Sequence, residues 1–404
     1  MVLWLDRRAG LLKVTNWLQM EDRMYLTDTH IQVRDMARAF AEETIRPMAE
    51  MLDREERFPE DLYAQMGELG LFGIAVPEEM GGPGFDTLAY ALVMEELSRG
   101  YSSVADQCGL VELISTLLVR HGTAEQRNHL LSDVMTVRKK VAYCITEPEA
   151  GTDVSGIRTE AVRDGHGWLL NGGKIWIHNA PVADYGFVLA RTDREAGHRG
   201  MSIFIVDLHA DGVERGPKEH KMGQRASQVG ALNFSDVRLG EEALLGEEGR
   251  GFHMMMSVLD KGRVGIAGLA VGIARAGLEA ALDYAQQRKQ FKQAIAEFQG
   301  IQFLLADMAK DIEAARLLVH SAAVKIDIGD DATMACSMAK CFAGDVAVAR
   351  TADAVQIFGG TGYIRGFEVE RLYRDAKITQ IYEGTNQIQR MIIARELLKN
   401  GAQS

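Results

Sequence analysis

Cysteine is scarce in this chain. There are 4 in 404 residues, Cys108, Cys144, Cys336 and Cys341, and none forms a CxxC pair. That spacing offers no zinc site and no disulfide framework, so buried thiols in a reducing compartment and no metal are expected. Positive charge is also in deficit. Lys and Arg number 45 against 57 Asp and Glu, a formal net charge of −12. Such a surface repels phosphate backbones, so nucleic acid is not an expected partner. Local backbone donors and a few Arg or Lys can still hold an anionic cofactor. No apolar run reaches membrane-spanning length, so no membrane span is expected. Walker, HExxH and GxSxG motifs are missing, as are internal repeats and low-complexity segments. Gly360-Thr361-Gly362 with Gly366 imitates a dinucleotide fingerprint. It follows a helical pattern rather than a strand, and so lacks the βαβ setting that gives the motif meaning.

What remains is an ordinary globular composition, 47% hydrophobic and 25% charged, in a chain long enough for two or three structural units. Residues 1–24 mix Arg7, Arg8 and Lys13 with Trp4, Leu11, Leu12 and Trp17. Asp6 and the lack of serine count against a transit peptide, so an extension is expected, with Met20 or Met24 as alternative starts.

Helical spacing governs residues 25–140, with Ile31, Met36, Phe40, Ile45 and Met48 on one repeat. Pro77 and Gly81-Gly82-Pro83-Gly84 interrupt it, and it returns at 87–97 and 110–120. From Val141 to about residue 250 short β-rich runs take over. Trp168-Leu169-Leu170, Asn171-Gly172-Gly173 and Ile175-Trp176-Ile177 read as a hairpin, because Asn-Gly supplies the positive φ of a tight turn. Further strands are expected at 187–190, 201–206 and 231–234. Residues 251–404 are helical again, with alanine-rich amphipathic stretches at 278–287, 298–329 and 333–358 and a last helix at about 387–398. Asp330 or Asp331 can cap the third stretch and Gly359-Gly360 can end it. The fold expected is mainly α with a central β domain: a helical N-terminal domain, a small β-barrel or sandwich, and a C-terminal four-helix bundle.

Two segments carry candidate chemistry. In Ile381-Tyr382-Glu383-Gly384-Thr385-Asn386-Gln387 a carboxylate stands between an aromatic and a glycine, before a helix that Thr385 can cap. Glycine permits close approach of a ligand, and the helix start offers free N–H groups to an anion. Pattern alone equally describes a solvated glutamate in a first turn. Tyr143 to Asp153, punctuated by Pro148 and Gly151, suits either a ligand loop or an interdomain linker.

Taken together, these segments resemble the acyl-CoA dehydrogenase family over nearly the whole chain from about residue 27. The matching pieces, in the family's order, are 143–152, 172–179, 222–225, 288–291, 356–360 and 374–390. The resemblance implies FAD between the β domain and the bundle, a homotetramer built as a dimer of dimers, and α,β-desaturation of an acyl-CoA thioester to the trans-2-enoyl-CoA. Glu383 would take the α-proton while hydride passes to flavin N5, and the backbone N–H of Glu383 would stabilise the thioester oxygen. The resemblance assigns Tyr143, Ile145, Thr146, Gly151, Thr152, Trp176 and His178 to the flavin, with Thr152 also on the acyl-CoA. Arg288, Gln290, Phe291 and Gln299 match residues reaching a neighbour's FAD. Gln356, Gly359, Gly360, Thr385 and Gln387 match diphosphate and adenine contacts. Asp260, Arg263, Tyr382 and Gly384 match substrate contacts; Arg263 serves equally as an internal ion pair between helices. Some branched-chain members carry the base beside that arginine, where this chain has Gly262.

Three positions depart from the family. His178 replaces a Thr or Ser near N5, and it either donates there or turns away from the ring. Lys292 replaces a glycine after Phe291, and Glu149 replaces a glycine in the cofactor loop. Ser102 stands where glutaryl-CoA enzymes carry an arginine, which argues against a decarboxylating role. Electron-transfer flavoprotein is the expected acceptor, in the cytoplasm of a bacterium or the mitochondrial matrix of a eukaryote. The rivals are an oxygen-using acyl-CoA oxidase, which would release peroxide, and a non-enzymatic DNA-associated homologue, which the net acidity disfavours. The acyl pocket involves 107–115, where Cys108 and Gly109 are small and Glu112 either intrudes or faces solvent.

Overall fold

The computed structural model describes residues 25–401, so the expected extension at 1–24 lies outside the described residues. The N-terminal unit is helical. It comprises α1 (Asp28–Phe40), continued through a π turn into α2 (Arg46–Glu55), then α3 (Glu60–Glu68), α4 (Thr87–His121) and α5 (Ala124–Met135). Thr27 and Thr123 open α1 and α5 with capping boxes, and the Asp86 side chain accepts the Ala89 N–H at the start of α4. The two helical stretches expected at 87–97 and 110–120 belong to α4 alone, which kinks at Tyr101 (φ −162°, ψ 121°).

The central unit is one eight-stranded sheet: β1 (Val141–Cys144), β2 (Glu160–Asp164), β3 (Gly167–His178), β4 (Tyr185–Arg191), β5 (Met201–Asp207), β6 (Val213–Arg215), β7 (Val229–Gly240) and β8 (Leu244–Leu245). The order is β6-β7-β3-β2-β4-β5-β8, with β1 parallel to β4. Trp168, Leu170, Phe204, Leu232 and Phe234 fill a core of its own. The hairpin expected at Asn171-Gly172 is corrected here. β3 runs unbroken and pairs along its length with β7, and Asn-Gly makes a bulge. Gly172 has φ +139°, and a Cβ there would lie 2.6 Å from Thr159 Cα. The Asn171 amide reaches across to Asp236 at 3.0 Å. Positive φ was the signal in the sequence, and bulge and turn share it. A second register shift between Lys174 and Ile177 puts Trp176 at φ 58° and leaves it 61% exposed.

The C-terminal unit holds α6 (Gly251–Gln287), the hairpin β9 (Lys289–Gln290) and β10 (Gln293–Ala294), α7 (Gln299–Asp327), α8 (Thr333–Phe358), α9 (Glu368–Ala376) and α10 (Asn386–Gly401). The long helices α4 and α6 cross the molecular centre in contact. Glycines at 262, 265, 268 and 272 line the meeting face of α6. A Cβ at Gly272 would lie 2.2 Å from the Glu95 carbonyl oxygen, so the backbones meet without side chains between them. Beyond this stripe a buried ionic web joins the helices, with Arg99 to Glu279 at 2.7 Å and Arg275 to Glu96 at 2.8 Å. Burial alone would raise Glu95, yet Arg316 and Arg275 hold it at about 2. By length and composition α4 and α6 could each cross a membrane, but 94% of each apolar window is buried inside the fold. They pass such a test as core helices.

Candidate active site

Glu383 sits at φ 53° and Gly384 at φ 85°, two successive left-handed residues before α10. Such backbone needs outside support. Lys340, buried on α8, donates to the Gly384 carbonyl at 2.7 Å and to Asn386 Oδ1 at 3.1 Å. Asn386 in turn donates to the Cys341 carbonyl and to Asp345. The Gln389 amide donates to both the Glu383 and Gly384 carbonyls at 3.1 Å. Thr385 caps α10, its hydroxyl accepting the Ile388 N–H at 3.3 Å. The loop is thus clamped from below and from its own helix, and the Glu383 side chain projects toward α6.

There the carboxylate meets Gly262. A Cβ at 262 would lie 3.0 Å from Glu383 Oε2, so any larger residue would press on it. Oε2 is buried without a hydrogen-bond partner. Burial pushes the Glu383 carboxyl up to about 7, against the pull of Arg263 and Lys340 and with a further push from Asp106. Arg263 donates to Asp260 at 2.7 Å, and Asp260 accepts the Thr333 hydroxyl at 3.0 Å. The guanidinium thus pairs within the helical unit and also pulls the Glu383 carboxyl down.

Tyr143 closes another side, its hydroxyl donating to the Met255 carbonyl at 3.2 Å. Burial raises its phenol and nearby Glu383 adds to the shift. The Tyr382 hydroxyl accepts from Gln224 at 3.4 Å. The loop after Tyr143 is pinned by Lys174, whose ammonium donates to the Ile145 carbonyl at 2.9 Å and to Glu147 at 2.7 Å. Glu147 also accepts the N–H groups of Arg158 and Thr159, and Ile175 donates to the Thr146 carbonyl. Gly151 and Thr152 are exposed. Glu149 points outward to Arg158.

His178 is tied back to α4. Its Nε2 lies 2.9 Å from the Gln107 amide nitrogen and its Nδ1 lies 3.4 Å from Asp106 Oδ2. The Gln107 oxygen is taken by Asn179, so the Gln107 amide donates and the ring proton rests on Nδ1 facing Asp106. Burial lowers its pKa, only partly offset by Asp106, which favours the neutral ring. Glu112 is 1% exposed and pairs with Lys261 at 3.2 Å, so it neither faces solvent nor stands alone.

The remaining positions gather elsewhere. Arg288, Gln290, Phe291 and Gln299 lie at the far end of α6, with Gln356, Gly359 and Gly360 at the end of α8. At about 1.5 Å per residue, that end of α6 is about 37 Å from Gly262. All seven are exposed. Phe291 (φ 51°) and Lys292 (φ 68°) form the two-residue turn of the β9–β10 hairpin, and Phe291 is 89% exposed. One chain does not bring this group to Glu383, whereas Thr385 and Gln387 lie beside it at the start of α10.

Sequence reasoning missed Lys340, Asn386, Gln389, Lys174, Glu147, Asp106 and Gln107. Lys340 had a signal, a lone charge within the apolar stretch from Met334 to Phe342. Gln389 reaches Glu383 and Gly384 from the next helical turn, and the others act through partners distant in sequence and left none.

Three family models match in chain order. They are the acyl-CoA dehydrogenase N-terminal domain over 27–138, the middle domain over 142–237 and the C-terminal domain over 249–398. A subunit of the caffeyl-CoA reductase–Etf complex from Acetobacterium woodii is 42% identical, covering 93% of this chain and 100% of that protein. The mitochondrial short-chain specific acyl-CoA dehydrogenase of Bos taurus is 41% identical over 98% of both chains. The structure of butyryl-CoA dehydrogenase from Megasphaera elsdenii matches with a TM-score of 0.90 and 41% identity, covering 93% of this chain and 99% of that one. The chain belongs to the acyl-CoA dehydrogenase family and is an oxidoreductase of that kind. The family implies a flavin, and the residues present fit one. Trp176 offers an open aromatic face, and a Cβ built on Gly151 would touch nothing within 4 Å.

Proposed function

We propose that this enzyme desaturates an acyl-CoA thioester to the trans-2-enoyl-CoA, with FAD as cofactor and Glu383 as the base that takes the α-proton. The observation that carries this reading is the Glu383 carboxyl: its Oε2 is buried without a partner and it titrates at about 7. A carboxylate so placed is a stronger base than a solvated one, and substrate that excludes more water strengthens it again. Bound FAD supplies the acceptor for the β-hydrogen, taken as hydride. The backbone N–H of Glu383 faces the thioester oxygen and stabilises the charge that develops on it. Arg263 pulls the carboxyl down against its burial, while Tyr382, Gly384, Thr152 and Asp260 position the acyl-CoA. Tyr143, Ile145, Thr146, Gly151, Thr152 and Trp176 hold the flavin, with His178 braced behind them by Asp106 and Gln107. Arg288, Gln290, Phe291, Gln299, Gln356, Gly359 and Gly360 serve the flavin of a second copy, within a homotetramer whose chains divide at residues 140 and 250. Electrons leave to electron-transfer flavoprotein, in a bacterial cytoplasm or a mitochondrial matrix.

The test is anaerobic titration of the purified flavoprotein with a panel of acyl-CoAs, following the visible flavin band. Bleaching by one chain class is the expected result. Glu383→Gln should retain flavin and lose at least about 100-fold in reduction rate. Undiminished bleaching in that variant would remove Glu383 from its role. The relative named as a caffeyl-CoA reductase favours a second reading, in which the same residues run the reaction toward the saturated thioester. Under that reading enoyl-CoA would reoxidise the reduced enzyme faster than acyl-CoA reduces the oxidised one.

A further inference from the structure

The end of β3 is pinned at two places, and Trp176 stands between them. At Lys174 the pin lies within the sheet unit, where the ammonium holds Glu147 at 2.7 Å and the Ile145 carbonyl at 2.9 Å. At His178 the pin crosses to α4. Nδ1 faces Asp106 Oδ2 at 3.4 Å, and Nε2 accepts the Gln107 amide N–H at 2.9 Å. Asp106 is fixed in turn by the Ser227 hydroxyl, which donates to Oδ2 at 3.0 Å. Gln107 is fixed by Asn179, with which it exchanges two amide hydrogen bonds at 2.9 and 3.1 Å. Trp176 lies two residues before His178, and with φ 58° and 61% exposure its ring has little packing of its own to hold it.

The clasp works in one protonation state. A neutral ring with its proton on Nδ1 answers Asp106 and Gln107 together. A proton added at Nε2 would meet the Gln107 amide donor face to face, and Gln107 cannot turn its amide over without losing both bonds to Asn179. Two charged groups act on the ring, Asp106 from α4 and Lys221 from the loop before β7. Burial and Lys221 disfavour the charged ring, and Asp106 favours it less than burial opposes it. The Thr or Ser that the resemblance leads one to expect at this position has one hydroxyl in place of two ring nitrogens. We propose that His178, clasped by Asp106 and Gln107, is a positioning residue that ties the end of β3 to α4 and so sets the Trp176 ring where the flavin docks. This rests on the flavin reading above. It adds the residue that holds that wall and the form of the imidazole that does so.

Two variants test it. His178→Gln offers one donor and one acceptor, as the neutral ring does, but does not titrate; His178→Leu fills space and offers neither. The readouts are the FAD dissociation constant and the fluorine NMR signal of fluorotryptophan at Trp176, assigned with Trp176→Phe and followed with and without FAD. His178→Leu should weaken FAD binding by about 10-fold or more and shift the Trp176 signal, because Asp106 and Gln107 lose their partner. His178→Gln should leave both near wild type. In wild type the Trp176 signal should move and FAD should loosen as pH falls below the ordinary histidine range, and in His178→Gln neither should respond. The Trp168 signal, in the sheet core, should stay in place throughout. Wild-type FAD affinity with an unmoved Trp176 signal in His178→Leu would overturn the inference. So would an acid step that survives in His178→Gln, and this comparison decides alone if His178→Leu fails to fold. A wild-type protein that binds no FAD would instead remove the flavin reading, while the Trp176 signal of the flavin-free protein would still decide whether the clasp sets that ring.

Discussion

A carboxylate that titrates near neutrality differs from a solvated one in two measurable ways. The first is rate. With Glu383 at about 7, the free enzyme's kcat/KM for reduction should fall about tenfold per pH unit below that value and level off above it. Lys340 helps hold the carboxyl down, so Lys340→Met should move the inflection to higher pH. A Lys340 that only braced the loop would lower the rate without moving the inflection. The second is stability. The folded pKa of about 7 exceeds the unfolded value of about 4.3. Any stability linked to this group is therefore fully present below the unfolded value and lost as pH rises through 7. Glu383→Gln removes that loss. Its melting temperature should exceed the wild type's at pH 8 and approach it near pH 4. A variant that melts lower at both pH values would mean that the ionised carboxylate is better satisfied in the fold than its orphaned oxygen implies.

Among the elements, α4 and α6 set the frame, because their glycine stripe fixes how closely they approach. Gly272→Ala would force a methyl to 2.0 Å from Ser98 Oγ and 2.2 Å from the Glu95 carbonyl, far from Glu383. Overpacking there should cost about 1–3 kcal/mol in urea unfolding while substrate reduction at permissive temperature is retained. Equal stability would show that the two helices slide apart freely. The sequence made these helices legible, since their periodicity is local, but not the kink at Tyr101 that joins two apparent helices into α4. It misplaced the turn in β3, because Asn171-Gly172 signals positive φ and a bulge requires that as much as a hairpin does. Glu383 and its flanking glycine were legible as a motif. Their supports were not: Lys340 reaches Gly384 from another helix, and Gln107 meets His178 across 71 positions of sequence. Such partners are set by tertiary packing, which no short window of sequence contains.

For the molecule as a whole, the residues assigned to one cofactor stand in two groups, one near Gly262 and one at the C-terminal end of α6, about 37 Å apart along the helix. Under the proposed assignment a single chain would present two half-sites, a catalytic half around Glu383 and an exposed half around Phe291 and Gly359. The exposed half shows the features of a surface built for a partner. Phe291 is 89% exposed and Tyr363 is 84% exposed on one end of the helical unit, and Phe303 adds apolar area in the first turns of α7. Phe291 and Lys292 both hold positive φ as the turn of the β9–β10 hairpin, which lifts the Phe291 ring into solvent. If the exposed half completes the flavin site of a second copy, association and cofactor retention are one equilibrium. Phe291→Ala and Arg288→Ala should then lower the flavin-to-protein ratio and shift the protein toward smaller species in light scattering. Added FAD should restore the larger species. The flavin that stays bound should still be bleached by substrate, because Glu383, Lys340 and Gly262 are untouched at the other end. Full flavin occupancy in a monomeric variant would show instead that each chain holds its cofactor alone, and the half around Phe291 would need another occupant.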